Sequence, residues 1–133
     1  MRIFLDTNVL ASGLATRGLC ADVVRAVLEH HDLIVSDRML LELQRVLRTK
    51  FRVSESQVSE FVSLLLQDAL LAEELPLVDV QITDADDIPI LSAARNARAD
   101  FFVTGDTEVL GIGEIDSMKI MSPRQFWEEM GKA

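Results

Sequence analysis

Short apolar runs alternate with amphipathic stretches along the chain. The apolar runs predict β-strands, which are expected over residues 2–5, 33–35, 75–78, 100–104 and 119–121. Apolar residues at helical spacing predict helices over residues 20–29 and 87–98 and after residues 36, 54 and 122. Pro76 has no N–H to donate, so the 75–78 strand is expected at an edge of the sheet. The alternation predicts one domain over residues 1–133, with a mostly parallel sheet and helices on both faces.

Serine residues mark the starts of three of these helices. Ser36 stands immediately before an amphipathic stretch, where its hydroxyl can cap the first turn. Ser54 has a glutamine three residues later, which is the spacing of a capping box. Ser122 has the same spacing, with Pro123 at the first helical position. These signals fix the expected starts of the helices more firmly than their ends.

The excess of acidic over basic residues is confined to the second half of the chain. The sequence carries 13 basic and 22 acidic residues, a formal net charge of -9. Residues 1–66 hold eight of each kind, so residues 67–133 account for the whole excess. The net charge of the whole chain argues against tight binding to a phosphate backbone. The neutral half, however, contains a basic run that is either a solvated helix end or a phosphate-binding patch: Arg45, Arg48, Lys50 and Arg52.

Composition and motifs exclude several classes of protein. Hydrophobic residues make up 49% of the chain, which supports a packed core and excludes intrinsic disorder. No apolar run reaches the ~20 residues of a membrane span, and Asp6 interrupts the segment that would be apolar in a signal peptide. The single Cys20 cannot form an internal disulfide, which favours a cytoplasmic protein. The motifs of serine hydrolases, P-loop proteins and dinucleotide-binding proteins are absent.

Acidic residues follow the predicted strands where the ligand sites of parallel sheets lie. Asp6 ends the first strand and Asp106 follows the 100–104 strand. Asp84, Asp86 and Asp87 lead into the helix that precedes this strand. Carboxylates that converge on one edge repel each other unless a cation neutralises them, and Mg²⁺ and Mn²⁺ prefer oxygen ligands. These residues therefore predict a divalent-metal site at the carboxyl edge of the sheet.

Each of these acids also has a purely structural alternative. The sequence Asp6-Thr7-Asn8 favours a turn after the first strand, and an acid before a helix can cap it. Glu42 lies at the margin of the apolar face of its helix, with Arg38 four residues before it and Arg45 three residues after it. That spacing also fits a surface ion-pair ladder. The metal site is inferred from the whole set, because independent caps do not predict that two strand ends and a helix start share acids.

Taken in order, four parts of the chain resemble the PIN-domain nucleases. They are Leu5-Asp6-Thr7-Asn8-Val9-Leu10, Glu42 in the helix after Ser36, Asp84-x-Asp86-Asp87-x-Pro89-Ile90-Leu91 and Val103-Thr104-Gly105-Asp106. Among these nucleases the chain is most similar to small stand-alone proteins of toxin–antitoxin pairs, which are relatives of the VapC-type ribonucleases. The resemblance spans almost the whole chain, and its specificity lies in the ordered set of motifs rather than in any one of them.

The resemblance implies a three-layer α/β/α fold with a mostly parallel sheet of about five strands. It also implies a metal-dependent endoribonuclease that hydrolyses single-stranded or structured RNA. An acidic quartet would hold Mg²⁺ or Mn²⁺: Asp6, Glu42, Asp87 and Asp106. Accessory positions would be Asn8, Thr104, Asp84, Asp86 and Glu108. The candidates for binding the phosphate backbone are Arg38, Arg45 and Arg48.

The resemblance further implies a homodimer, silenced by an antitoxin that places a basic side chain against the acidic site. Two other classes remain open. A receiver-like phosphoacceptor domain has this length and an acidic pocket, although here the first strand ends in a single acid and Asp106 lacks the expected lysine partner. A non-catalytic PIN-like module would keep the fold and bind a partner without metal. The nuclease hypothesis requires the four quartet carboxyls to share one pocket at the carboxyl edge of the sheet.

Overall fold

Strands and helices alternate from the first residues onward in the computed structural model, which describes residues 1–131. The strands are β1 (Arg2–Leu5), β2 (Asp32–Val35), β3 (Leu70–Leu71), β4 (Phe101–Val103), β5 (Glu114–Ile115) and β6 (Met118–Met121). The helices are α1 (Thr7–Ala15), α2 (Leu19–His30), α3 (Asp37–Thr49), α4 (Glu55–Leu66), α5 (Asp87–Asn96), α6 (Thr107–Leu110) and α7 (Pro123–Phe126). A π-helical segment, Trp127–Gly131, follows α7.

The described residues form a six-stranded sheet in the order β3-β2-β1-β4-β6-β5. Neighbouring strands run parallel except at the β5–β6 edge, where the pairing is antiparallel. The predicted mostly parallel α/β architecture is therefore confirmed. The sixth strand is the two-residue β5, which is too short to leave a recognisable apolar run in the sequence.

The strand order reverses between β1 and β4. From β1 the chain moves outward through β2 to β3, and it then returns to β4 on the other side of β1. Because parallel crossovers are right-handed, the helices between β1 and β3 cover one face and α5 and α6 cover the other. The α7 helix and the π-helical segment pack on α2 and so join the first face. Sheets of this kind bind ligands outside the carboxyl ends of the strands at the reversal point.

The central strands are apolar on both faces because helices cover both sides of the sheet. Ile3, Phe4 and Leu5 of β1 are fully buried. The ring of Phe4 stacks on that of Phe102 in β4, with the centroids 5.2 Å apart. This packing holds β1 and β4 together and therefore sets the relative positions of the residues that follow them.

Most predicted elements are present, with two differences in the first two-thirds of the chain. The strand predicted at 75–78 is wrong: this stretch is irregular, and the edge strand is β3, at Leu70–Leu71. Pro76 explains this, because its missing N–H removes a ladder hydrogen bond. The turn expected after β1 is instead the start of α1, which Asp6 caps.

The three predicted serine caps are present at the starts of α3, α4 and α7. The Ser36 hydroxyl accepts from the Met39 N–H, and the Ser122 site forms a complete capping box. Ser54 accepts from the backbone of the glutamine three residues on, which is one half of the predicted box. Among the residues that the structure describes, no helix has the length and apolar character needed to cross a membrane.

Candidate functional site

Asp6 and Asp106 follow β1 and β4, the neighbouring strands at the reversal point. The register of these strands brings Asp6 beside the buried Thr104. The Thr104 hydroxyl donates to Asp6 Oδ2 (2.8 Å) and accepts from the Asp106 N–H (3.1 Å). Asp6 Oδ1 accepts from the Thr7 N–H (2.8 Å) at the start of α1. One threonine thus links both strand-end acids at the carboxyl edge of the sheet.

Asp106 also performs the capping role that its sequence context allowed. Its Oδ1 accepts from the N–H of Glu108 (2.9 Å) in the first turn of α6. The structural and the metal-binding interpretations are compatible, because a cap fixes the direction of a carboxylate without using all of its lone pairs.

Glu42 lies half-buried on α3 and faces an open cleft beside this edge. The cleft has a volume of about 680 Å³. Its lining residues are Asp37, Arg38, Leu41, Glu42, Arg45, Glu74, Asp84, Asp86 and Asp87. The cleft is therefore mainly acidic, with two arginines on its α3 side. Glu42 and Asp87 line it, whereas Asp6 and Asp106 do not and lie at the adjoining strand ends.

The arginines around Glu42 do not form the ion-pair ladder that their spacing allows. Arg38 Nε instead pairs with Glu74 Oε1 at 3.2 Å, across the cleft rather than along the helix. Arg45 has no ion-pair partner among residues 1–131. The Arg45 guanidinium can therefore form an ion pair with an anion that binds in the cleft.

Asp84, Asp86 and Asp87 come together in a tight turn at the start of α5. Asp84 Oδ1 accepts from the Asp86 N–H (3.0 Å), and the Asp84 carbonyl accepts from the Asp87 N–H (3.1 Å). Asp84 and Asp86 are exposed, whereas Asp87 is half-buried and begins the helix. The burial of Asp87 sets it apart from its two neighbours in the cleft.

The quartet carboxylates influence one another electrostatically. Burial raises the pKa of the Asp6 carboxyl, and the Asp106 charge adds to the rise, while the hydrogen bonds from Thr104 and Thr7 oppose it. Burial also raises the pKa of Glu42, with the Asp6 charge acting in the same direction.

Asp87 has the largest rise in pKa among these acids. Burial raises the pKa of Asp87 to about 6, with contributions from the charges of Asp84, Asp6, Asp106 and Glu42. The charges of all three other quartet members therefore act on Asp87. Such mutual repulsion is what a bound divalent cation relieves.

The donor set consists of carboxylate oxygens, which suit a hard divalent ion. Within residues 1–131, no three histidine, cysteine or acidic side chains are close enough to hold one ion together. Mg²⁺ commonly keeps several waters and uses one or two carboxylates together with substrate phosphates. The oxygen donors of the quartet, with raised pKa values at Asp6, Glu42 and Asp87, are of the type that Mg²⁺ and Mn²⁺ prefer.

The remaining predicted site residues differ in their exposure and in their contacts. Asn8 is exposed on the first turn of α1. Arg48 pairs with Glu55 at 3.4 Å and does not line the cleft. The Glu108 carboxylate contacts Thr83, which the sequence did not single out. Glu74 was missed as well, because the irregular stretch that contains it gives no periodic signal.

Comparison with known families tests the resemblance independently. The sequence model of a family described as PIN domain matches residues 2–108, most of the chain. The chain belongs to the PIN-domain family.

The PIN-domain assignment agrees with similarity to solved structures. A chain of the crystal structure of VapBC2 from Rickettsia felis bound to a DNA fragment from their promoter is similar at a TM-score of 0.63. The identity is 16%, and the alignment covers 92% of this chain and 98% of that chain. At this identity the likeness shows a shared fold. Comparison with curated proteins gives no significant match.

The family removes one of the two alternatives that the sequence left open. A PIN domain is not a receiver domain, so the phosphoacceptor hypothesis is set aside. The PIN-domain family is a family of nucleases, and Asp6, Glu42, Asp87 and Asp106 lie in the part of the chain that its model matches.

Proposed function

We propose that this PIN-domain protein is a metal-dependent endoribonuclease that hydrolyses single-stranded or structured RNA. The observation that carries the proposal is the electrostatic repulsion within the quartet. Asp6, Glu42 and Asp87 all have raised pKa values, and the charge of another quartet member contributes to each rise. This repulsion costs stability in the free protein. Proteins retain such arrangements where a cation and an anionic substrate use them.

The quartet would hold one or two divalent ions. A bound Mg²⁺ or Mn²⁺ would supply positive charge at the scissile phosphate and a water of lowered pKa for attack. Asp6 and Asp106 are held by Thr104 from the sheet side, while Glu42 and Asp87 approach from α3 and α5. The carboxylates act as ligands in this scheme, and none of them is assigned as a separate general base.

Arg38 and Arg45 would bind the phosphate backbone on the α3 side of the cleft. Arg45 lines the cleft without a partner in the described chain, so it can pair with a phosphate at little cost. Arg38 must first release Glu74. Arg48 is the weaker candidate, because it pairs with Glu55 outside the cleft. We therefore expect Arg45 to contribute most to RNA binding.

We also propose that the protein is the toxin of a toxin–antitoxin pair, acts in the cytoplasm and forms a homodimer. The fold shared with a chain of the VapBC2 complex supports an antitoxin partner. The acidic cleft suits a basic side chain of such a partner, which would compete with the metal and with RNA. Sedimentation of the purified protein measures the dimer, and co-expression with the neighbouring gene tests for the antitoxin.

The decisive experiment is RNA cleavage by the purified protein with Mn²⁺ or Mg²⁺ and with EDTA. We expect cleavage only with metal, and a loss of about 100-fold or more in Asp6→Asn and in Asp106→Asn. Glu60→Gln is the matched control, because Glu60 is exposed on α4 and does not line the cleft. Equal cleavage by the protein and Asp6→Asn would reveal a contaminating nuclease. RNA binding without cleavage or metal uptake would favour the non-catalytic module.

A further inference from the structure

The segment between β3 and α5 is irregular, yet it carries Asp84 and Asp86 to the cleft. Its first half is attached to α5 by side chains. The Ser92 hydroxyl accepts from the Val78 N–H (2.9 Å). Asn96 donates to the carbonyl of Glu73 (3.0 Å), and Arg95 donates to the carbonyl of Pro76 (2.9 Å). All of these attachments lie at or before residue 78.

Beyond residue 78 the segment is held from a different element. Glu108 Oε1 accepts from the Thr83 N–H (2.8 Å), and Glu108 Oε2 accepts from the Thr83 hydroxyl (2.7 Å). In the described chain, no other hydrogen bond joins residues 79–83 to the rest of the molecule. The turn that begins at Asp84 follows immediately. Its position therefore depends on the contact between Glu108 and Thr83 together with the apolar packing of Val80 and Ile82 against the core.

Glu108 is also connected to the quartet through its backbone. Its N–H donates to Asp106 Oδ1 (2.9 Å), so the same residue contacts Asp106 and the segment that leads to Asp87. Asp87 and Asp106 are separated in the chain by α5 and β4, whereas the segment that precedes Asp87 is irregular. The contact between Glu108 and Thr83 therefore joins the start of α6 directly to the irregular segment that ends at the Asp84–Asp87 turn.

We propose that Glu108 is a positioning residue that clamps the Asp84–Asp87 turn against α6 and is not itself a metal ligand. The inference rests on the proposed function for its catalytic meaning, but the clamp is a physical property of the free protein. Both carboxylate oxygens of Glu108 accept short, charge-assisted hydrogen bonds from Thr83, so Thr83 sets the direction of this side chain. Glu108 therefore acts on the reaction through the placement of Asp87.

Three substitutions separate a clamp from a ligand. Glu108→Gln keeps both contacts, because the amide oxygen can accept from the Thr83 N–H and the amide NH₂ can donate to the Thr83 hydroxyl. Glu108→Ala loses both contacts. Thr83→Val loses only the hydroxyl contact and leaves every acid in place. A ligand role instead predicts that Glu108→Gln fails as badly as Glu108→Ala and that Thr83→Val has no effect.

Amide hydrogen exchange over residues 79–87 of the metal-free protein tests the clamp directly. We expect exchange about tenfold faster in Glu108→Ala, a smaller increase in Thr83→Val and no change in Glu108→Gln. This readout does not depend on nuclease activity, so it distinguishes failure of the clamp from failure of the proposed function. Unchanged exchange in Glu108→Ala would overturn the inference.

RNA cleavage with Mn²⁺ then tests the catalytic consequence. Glu108→Gln should restore most of the rate lost in Glu108→Ala, and the double variant with Thr83→Val should be no slower than Glu108→Ala alone. The Mn²⁺ concentration for half-maximal rate should be the same in Glu108→Gln and in the unmodified protein. A shifted metal requirement in Glu108→Gln with unchanged exchange would identify Glu108 as a ligand instead.

Discussion

Thr104 connects the two strand-end acids, and its hydroxyl is buried with both of its bonds made inside the protein. Thr104→Val keeps the shape but leaves Asp6 Oδ2 and the Asp106 N–H without this partner. We expect a loss of about 1–2 kcal/mol in the free energy of unfolding, measured by urea denaturation. Thr104→Ser keeps the hydroxyl and is the control. Equal stability of the two variants would show that the hydroxyl contributes nothing.

The ionisation of Asp87 makes the stability of the fold depend on pH. A carboxyl whose pKa rises to about 6 on folding from 3.8 makes the metal-free protein less stable as the pH rises through this interval. Removal of the charge should reverse the effect. We therefore expect metal-free Asp87→Asn to melt about 3 °C above the unmodified protein at pH 7.5, which is roughly 1 kcal/mol after allowance for solvent screening.

The difference between the melting temperatures should vanish below about pH 3, where Asp87 is protonated in both the folded and the unfolded states because the pH lies well under the unfolded pKa of 3.8. Thermal melts in EDTA at both pH values measure it, with Glu60→Gln as the control for the loss of one negative charge. A gain in Glu60→Gln equal to that in Asp87→Asn would attribute the effect to net charge alone.

At the scale of elements, the contact between α1 and α2 positions the first acid. Gly13 lies so close to α2 that a Cβ on it would meet the carbonyl oxygen of Cys20 at 2.6 Å, and also the Val24 side chain. Gly13→Ala should therefore destabilise the protein by about 1–3 kcal/mol through overpacking, although alanine has the higher helix propensity. Urea denaturation measures the loss.

Gly105→Ala is the matched control for this substitution. A Cβ on Gly105 would have no heavy atom within 4 Å, so no loss from overpacking is expected. Displacement of α1 in Gly13→Ala should also weaken metal-dependent cleavage, because the first N–H of α1 contacts Asp6. A fully stable Gly13→Ala would show that the two helices can separate without cost.

The elements differ in how well the sequence predicts them. Helices that begin with a capping serine were predicted correctly, since a cap is a local interaction between residues three apart. The strand predicted at 75–78 was wrong, and α1 was predicted only as a turn. The strand fails because ladder hydrogen bonds depend on a neighbouring strand that is distant in sequence, as for β3 on β2. The α1 helix fails because Asp6-Thr7-Asn8 suits a turn as well as a helix start.

For the molecule as a whole, the net charge of -9 opposes RNA binding unless metal is present. We expect RNA affinity to rise about tenfold or more when Mg²⁺ replaces a monovalent salt at equal ionic strength. Fluorescence anisotropy with a non-cleavable RNA measures this. Asp6→Asn should gain much less. Equal affinity with and without Mg²⁺ would contradict the proposed role of the quartet.

The sequence by itself determined the alternation of strands and helices, the mostly parallel sheet and the acids at the strand ends. These follow from short-range periodicity and from capping, which act between residues a few positions apart. It also located Thr104, the link that the structure shows between Asp6 and Asp106.

Only the tertiary structure decided which charges meet. The register of β1 and β4 brings Asp6 beside Thr104, although 98 positions separate them in the chain. The same long-range packing turns Arg38 toward Glu74 and Glu108 toward Thr83. Ion pairs and hydrogen bonds of this kind depend on how helices and strands pack against one another. That packing is set by the burial of whole apolar faces. A local sequence pattern predicts each face but not the partner against which it packs.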